Sequence, residues 1–429
     1  MTAASLSKSN PLVLPALLKT QAKGQVWVQA LTVLWLASTF AIFPGNGLLL
    51  YPLTLIFIAL AVVERAQVFP LLLKSWFLFS VPVFSLISVG WSDYPAAGLQ
   101  LSAFLILTVF MMVVVAALLT ERQIIRCFFF CAIFGTALAI PEYATIATQG
   151  SEYLGAKNFY GMKMMISMVV AYAVAANPKE PLPLRLAAAV LIPIDFFLVV
   201  VANSVTMLAL AGVSLLLLVM LQIFWVKAAA LGGMRSVFVL VILAAMLVVG
   251  ISFLNADSSS FANQILTSLG KDTTLTGRTD LWEQALLTHQ ENPWFGVGAA
   301  GFWQYDTGAA QTLVENLNMK PGTALGFHNS YLEVLVHLGL VGLTIFILFN
   351  LWCVAKNVQG IIRESTFERA TFLVAAFIPI SVSFTESILW SFLNPMIYLF
   401  LLGPLTLLAS DLRKKIVYVK VTEDQTGSD

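Results

Sequence analysis

The chain has 429 residues, of which 59% are hydrophobic and 10% charged, and its 23 Lys and Arg nearly balance its 22 Asp and Glu. Soluble domains carry about 25% charged residues, so this composition, with a mean hydropathy of +0.89, excludes a soluble globular protein. The net charge of +1 leaves no electrostatic case for nucleic acid or for an acidic partner.

Residues 1–25 are polar and interrupted by Pro11 and Pro15. No small-residue cleavage site follows a clean apolar core, so a cytoplasmic N-terminal segment without a removable signal peptide is expected. Runs of about 20 apolar residues, the length that crosses a bilayer, then predict about twelve transmembrane helices near 26–43, 48–63, 76–90, 99–120, 124–145, 159–176, 182–201, 205–226, 237–253, 329–353, 370–385 and 389–408. The predicted fold is all-α and polytopic. It divides into helices 1–9 (26–254), a long exterior loop between helices 9 and 10 (255–327), helices 10–12 (328–409) and a polar cytoplasmic tail (410–429). With the N-terminus inside, 18 of the 23 Lys and Arg fall on the inner side, and Lys157, Lys163, Lys271, Arg278 and Lys320 on the outer side or its margin. That asymmetry is what the positive-inside rule requires. Cys127, Cys131 and Cys353 lie in apolar runs and read as buried small hydrophobes, not as a disulfide framework or a metal site. The Pro44-Gly45-Asn46-Gly47 and Trp91-Ser92-Asp93-Tyr94-Pro95 stretches read as turns.

Polar chemistry concentrates between Leu275 and Gly342, which hold all three histidines. Asp280 and Glu283 have the spacing of a capping pair, and Leu281, Trp282, Ala285, Leu286 and His289 recur on one face, so a helix of about three turns is predicted from Asp280. Asn292-Pro293 ends it. Arg278 stands just ahead of that start, where helix N–H groups and a guanidinium together suit a phosphate or pyrophosphate. The competing reading is a solvated arginine, or one paired with Asp280. His328 stands where the loop re-enters the membrane; it is either a general base at the interface or an ordinary interfacial polar residue. His337 lies nine residues further, about 13 Å along the helix, on another face, and its i,i+4 neighbour is Glu333, a pairing that reads as a polar contact.

Gly296 to Gly301 satisfy G-x-G-x-x-G, yet a proline-terminated helix precedes them where a dinucleotide site needs a strand. Their glycines read as a turn that brings Phe302 and Trp303 to the interface. Intramembrane charge is costly and marks functional suspects. Here these are Lys157 and Lys163 near the outer surface, Asp195 in mid-span and Glu386 at an outer helix end.

Thr276-Gly277-Arg278, Trp282, Pro293, Gly296-Val297-Gly298, Phe302 and His328-Asn329-Ser330-Tyr331-Leu332 with Gly339 and Gly342 together resemble the O-antigen ligase and polysaccharide-polymerase superfamily. Trp91 to Pro95 and Lys157-Asn158 look like its ExoQ-type branch of exopolysaccharide polymerases. The resemblance implies a metal-independent, cofactor-free glycosyltransferase of the bacterial inner membrane, with both termini cytoplasmic and the long loop periplasmic. It implies that a glycan carried on undecaprenyl pyrophosphate is moved to a hydroxyl of an acceptor glycan, with membrane lipids and other polysaccharide-assembly and chain-length proteins as partners. It places the family's loop arginine on Arg278 and its histidine on His328 as catalytic residues. Lys157, Lys163, Asn329 and Trp282 are the expected substrate-binding residues. The ligase branch also uses an intramembrane arginine near the sixth helix, where this chain has Lys157 and Lys163, and lysine lacks arginine's bidentate fork.

The leading expectation is a polymerase of lipid-linked repeat units. A ligase delivering finished glycan is the alternative enzyme, and a lipid-linked oligosaccharide transporter the alternative of another class. No internal repeat favours the transporter.

Overall fold

The computed structural model describes residues 13–40, 46–149, 157–202, 204–227, 278–304, 308–316, 325–388 and 394–426. Among them there is no strand, and the protein is an all-α polytopic membrane protein. Its helices are α1 (Val13–Phe40), α2 (Asn46–Val63), α3 (Arg65–Lys74), α4 (Ser80–Ser88), α5 (Pro95–Leu118), α6 (Glu121–Gln149), α7 (Lys157–Ala176), α8 (Leu182–Val201), α9 (Val205–Met220), α10 (Arg278–Glu291), α11 (Gly308–Asn316), α12 (Ser330–Arg363), α13 (Phe367–Val382) and α14 (Pro395–Thr426).

Seven of the described helices are long and apolar enough to cross a membrane, or eight if α2 and α3, bent by 101°, form one span. The expected twelve is therefore reached only in part. Residues 237–253, expected as the ninth span, lie outside the described residues. The run expected at 76–90 forms one short apolar helix, Trp76–Trp91, in which a 3-10 turn Trp76–Phe79 leads into α4 and a second 3-10 turn Val89–Trp91 ends it. Pro82 fits there because it stands in the first turn of α4, where its missing N–H has no intrahelical partner to lose.

The chain separates into two compact units. The first comprises residues 1–73, 111–212 and 408–429. In it α6, α7 and α8 pack on one another, α1 lies on α6, and α2 on α1. Asp195, fully buried in α8, accepts from Thr136 Oγ1 of α6 at 2.6 Å and from Ser167 Oγ of α7. The carboxylate thus ties three helices together. At one end of these helices the buried Glu180 accepts from Arg122 Nε and Arg126 Nε, each at 2.6 Å. Arg413 Nη2 donates to the carbonyls of Ala116, Ala117 and Leu119, capping the end of α5, where unpaired carbonyls and the negative dipole end favour a cation. Cys127 and Cys131 are buried thiols that donate to the α1 carbonyls of Gln29 and Val33 at 3.7 and 3.2 Å.

The second unit comprises residues 74–110 and 213–407. Here α12 is the central element, packed on α4, α10 and α13. At 34 residues it would run about 51 Å if straight, well beyond the roughly 30 Å of a bilayer core. It is not straight. Gly339, at φ 66° and ψ −168°, breaks it into two helices. The backbone groups this break releases are paired by the segment that follows α10. Val297 N and Gly298 N donate to the carbonyls of Val336 and His337 at 3.0 and 2.9 Å, while Leu340 N and Val341 N donate to those of Pro293 and Trp294 at 2.9 and 3.1 Å.

The Gly-Val-Gly stretch is thus a splint for a broken helix. Gly296 and Gly298 also have positive φ, 66° and 83°, and a Cβ on Gly296 would stand 2.4 Å from the Val336 carbonyl. The Trp91 to Pro95 stretch does more than turn the chain. Ser88 Oγ accepts from Ala299 N at 2.9 Å, and Ser92 Oγ and Trp91 Nε1 donate to the carbonyls of Ala299 and Phe295 at 3.1 and 3.2 Å.

Candidate functional site

The first described residue of α10 is Arg278, so the arginine lies within the helix that the capping pattern placed from Asp280. Asp280 in that turn complements the dipole. The buried face is Leu281, Ala285 and Thr288, at the i, i+4, i+7 spacing of one helical stripe. Leu286, expected on that face, is exposed. The helix ends at Glu291, before Pro293.

Leu281 and Ala285 join Phe302, Ala310, Leu313, Phe327 and Val336 in one apolar cluster, with Trp282 and Trp303 packed against it. Phe327 is its centre. The ring is fully buried, 4.9 Å from Phe302 and 4.7 Å from Trp303 between centroids. Its carbonyl accepts from Trp282 Nε1 at 2.9 Å, and its N–H donates to Glu333 Oε1 at 2.7 Å.

The residue after this anchor is His328, in the left-handed region at φ 50°. Histidine visits that region more readily than most side chains do, at some cost. On its other side Asn329 caps α12, its side chain accepting from Tyr331 N and Leu332 N. The turn after α13 clamps the same residues. Ser330 N donates to the Ser383 carbonyl at 2.9 Å, Ser330 Oγ to the Glu386 carbonyl at 3.0 Å, and Asn329 N to Ser387 Oγ at 3.2 Å. His328 is thereby held by its neighbours' bonds, and such a supported side chain is fit for positional chemistry.

The turn also delivers Glu386. One carboxylate oxygen receives Arg278 Nη2 at 2.9 Å and the other faces His328 Nδ1 at 2.8 Å. The two residues expected to be catalytic, 50 positions apart in sequence, meet on one carboxylate. Glu386 is 5% exposed, against 20% for Arg278 and 39% for His328, so the acid is shut in while the cation and the imidazole remain reachable. Pairing is what makes a buried charge tolerable. Arg278 pairs with this distant acid and not with the adjacent Asp280.

Other expected site residues have different surroundings. Trp282 has its indole N–H engaged by Phe327, and Asn329 Nδ2 donates to the Phe384 carbonyl at 3.4 Å, so both support His328. Lys157 opens α7 and Lys163, partly buried, lies on the same helix; both belong to the first unit. His337 is buried, with Nδ1 3.2 Å from the Gly298 carbonyl and Nε2 3.5 Å from Glu333 Oε2. It belongs to the splint, and its Glu333 contact is the i,i+4 pairing expected from the sequence. Glu333 has closer partners than the histidine, accepting from Phe327 N, from Ser387 Oγ at 3.0 Å and from Trp303 Nε1 at 3.1 Å. Among the described residues no three His, Cys, Asp or Glu side chains gather as metal ligands would.

Sequence reasoning left Glu386 outside the site, though its signal was present. It is one of the few acids in an apolar stretch, and only its partners were invisible.

Fold and site together define a polytopic membrane protein with a shielded carboxylate that holds an arginine and a histidine at the end of a helical bundle. Residues 186–347 match the family described as O-Antigen ligase, a stretch containing Arg278 and His328 but ending before Glu386. The "Exopolysaccharide production protein ExoQ" of Rhizobium meliloti (strain 1021) is 39% identical to this chain over 79 residues, which is 18% of either protein's length. The chain is thus similar to the O-antigen ligase family over residues 186–347 and to the ExoQ protein over a shorter stretch.

Proposed function

We propose that the protein is a glycosyltransferase that joins lipid-linked repeat units into exopolysaccharide on the outer face of the bacterial cytoplasmic membrane. The observation that carries this reading is the meeting of Arg278 and His328 on Glu386. One of these residues suits a phosphate and the other a proton. In the transfer, the acceptor sugar's hydroxyl gives its proton to the imidazole of His328 as its oxygen bonds to the donor's anomeric carbon. The bond from that carbon to the undecaprenyl pyrophosphate breaks, and its electron pair leaves with the phosphate. Arg278 neutralises the charge that grows there, as fixed cations do in transition states of this kind. Asn329 and Trp282 act from beneath, by holding His328.

A ligase delivering finished glycan to a lipid or protein is the second reading, favoured by the family description of residues 186–347. Deleting the gene and sizing the lipid-linked glycans on each side of the membrane separates the two. Single units accumulating outside mark a polymerase, and long chains still on lipid mark a ligase. Units trapped on the cytoplasmic face would overturn both.

A further inference from the structure

The roles of Arg278 and His328 leave the acid between them without a task. Neutralising a buried carboxylate would need only the arginine. Yet the turn is fastened so that the second oxygen faces the imidazole. Glu386 N donates to the Val382 carbonyl at 2.8 Å, and the Glu386 carbonyl takes Ser330 Oγ at 3.0 Å. The first bond fixes Glu386 on the end of α13, and the second ties it to Ser330, two residues from His328.

An ionised carboxylate can only accept, so the hydrogen of the 2.8 Å contact sits on Nδ1, and the neutral ring then presents Nε2 as its lone pair. A proton taken up at Nε2 makes an imidazolium, whose charge forms directly beside the same carboxylate. That is the help a buried acid gives a histidine base in the serine hydrolase triads. The other oxygen has an opposite consequence. A phosphate reaching the 20% exposed Arg278 must share the guanidinium with a carboxylate of like charge, which weakens anion binding in the resting site.

We propose that Glu386 is a positioning residue for the transfer described above, on which this inference rests. It sets His328 with Nε2 open to the acceptor hydroxyl, and it holds Arg278 in place until the donor's pyrophosphate shares it. The carboxylate therefore lowers affinity for phosphate while raising turnover.

Those two effects have opposite signs, which a residue needed only for folding would not show. The full-length protein is reconstituted in nanodiscs of phosphatidylethanolamine and phosphatidylglycerol, with inorganic pyrophosphate as the binding probe. Turnover is followed on lipid-linked glycan extracted from the producing bacterium. Removing one negative charge a few ångström from the phosphate in Glu386→Gln should tighten pyrophosphate binding at least about five-fold. The same variant should lose about 10²- to 10⁴-fold in turnover. Glu386→Asp keeps the charge but is too short to span both partners, so its pyrophosphate affinity should stay near that of the wild type while turnover falls. Arg278→Ala should abolish pyrophosphate binding.

If Arg278→Ala binds pyrophosphate as the wild type does, the reading of Arg278, and with it this inference, is wrong. If binding depends on Arg278 but Glu386→Gln keeps full turnover, or loses binding and turnover together, the positioning role alone is overturned.

Discussion

At the scale of single residues, His328 joins two demands that one substitution would confound. Its imidazole is the proposed base, and its backbone sits at φ 50°, where alanine is strained. Asparagine tolerates that region, so His328→Asn should fold with an unchanged thermal midpoint and still lose about 10²- to 10⁴-fold in transfer rate. Transfer at the wild-type rate would remove the histidine from the mechanism. Arg278→Lys keeps the cation but loses the planar fork that grips phosphate, and should retain a small part of the turnover that Arg278→Ala abolishes. A chelator in the same assay should leave turnover unchanged, as transfer driven by an arginine and a histidine requires.

Among the elements, α12 carries the most information, because its break explains residues that a sequence pattern could only label. Gly339 occupies a conformation nearly confined to glycine, and a Cβ there would stand 2.3 Å from the Trp294 backbone. Gly339→Ala should therefore lower stability by about 1–3 kcal/mol or more, read as a lower unfolding temperature in detergent. Gly212, whose added Cβ would meet nothing within 4 Å, is the matched control and should show no loss. The nucleotide fingerprint at Gly296 to Gly301 fails for the same physical reason. The N–H groups of Val297 and Gly298 are already given to the carbonyls of Val336 and His337, and a cradle for phosphate would need them free. Asn292-Pro293 located the end of α10 at Glu291, because local hydrogen bonding decides where a helix stops.

For the whole molecule, orientation can be tested without knowing the substrate. The described cysteines are all buried, so the chain is suited to labelling of introduced thiols by a membrane-impermeant maleimide. In intact spheroplasts, Thr279→Cys, exposed at the start of α10, should react. Lys179→Cys, exposed in the turn after α7, should react only after permeabilisation. The reverse pattern would invert the topology and place Arg278 and His328 on the cytoplasmic side, which the proposed function cannot accommodate.

Membrane class, helical fold, orientation bias and the candidacy of Arg278 and His328 were all legible in the chain itself. Hydropathy, charge by side and capping chemistry are properties of residues near one another in sequence. The bridge through Glu386 and the splint beneath Gly339 were not legible. Each is a contact or bend decided by what a distant segment brings: Glu386 is 108 residues from Arg278 and 58 from His328. Composition and periodicity set which side chains could do chemistry. Packing alone decided that the arginine and the histidine share one buried carboxylate, since a hydrogen bond depends on separation in space and not along the chain.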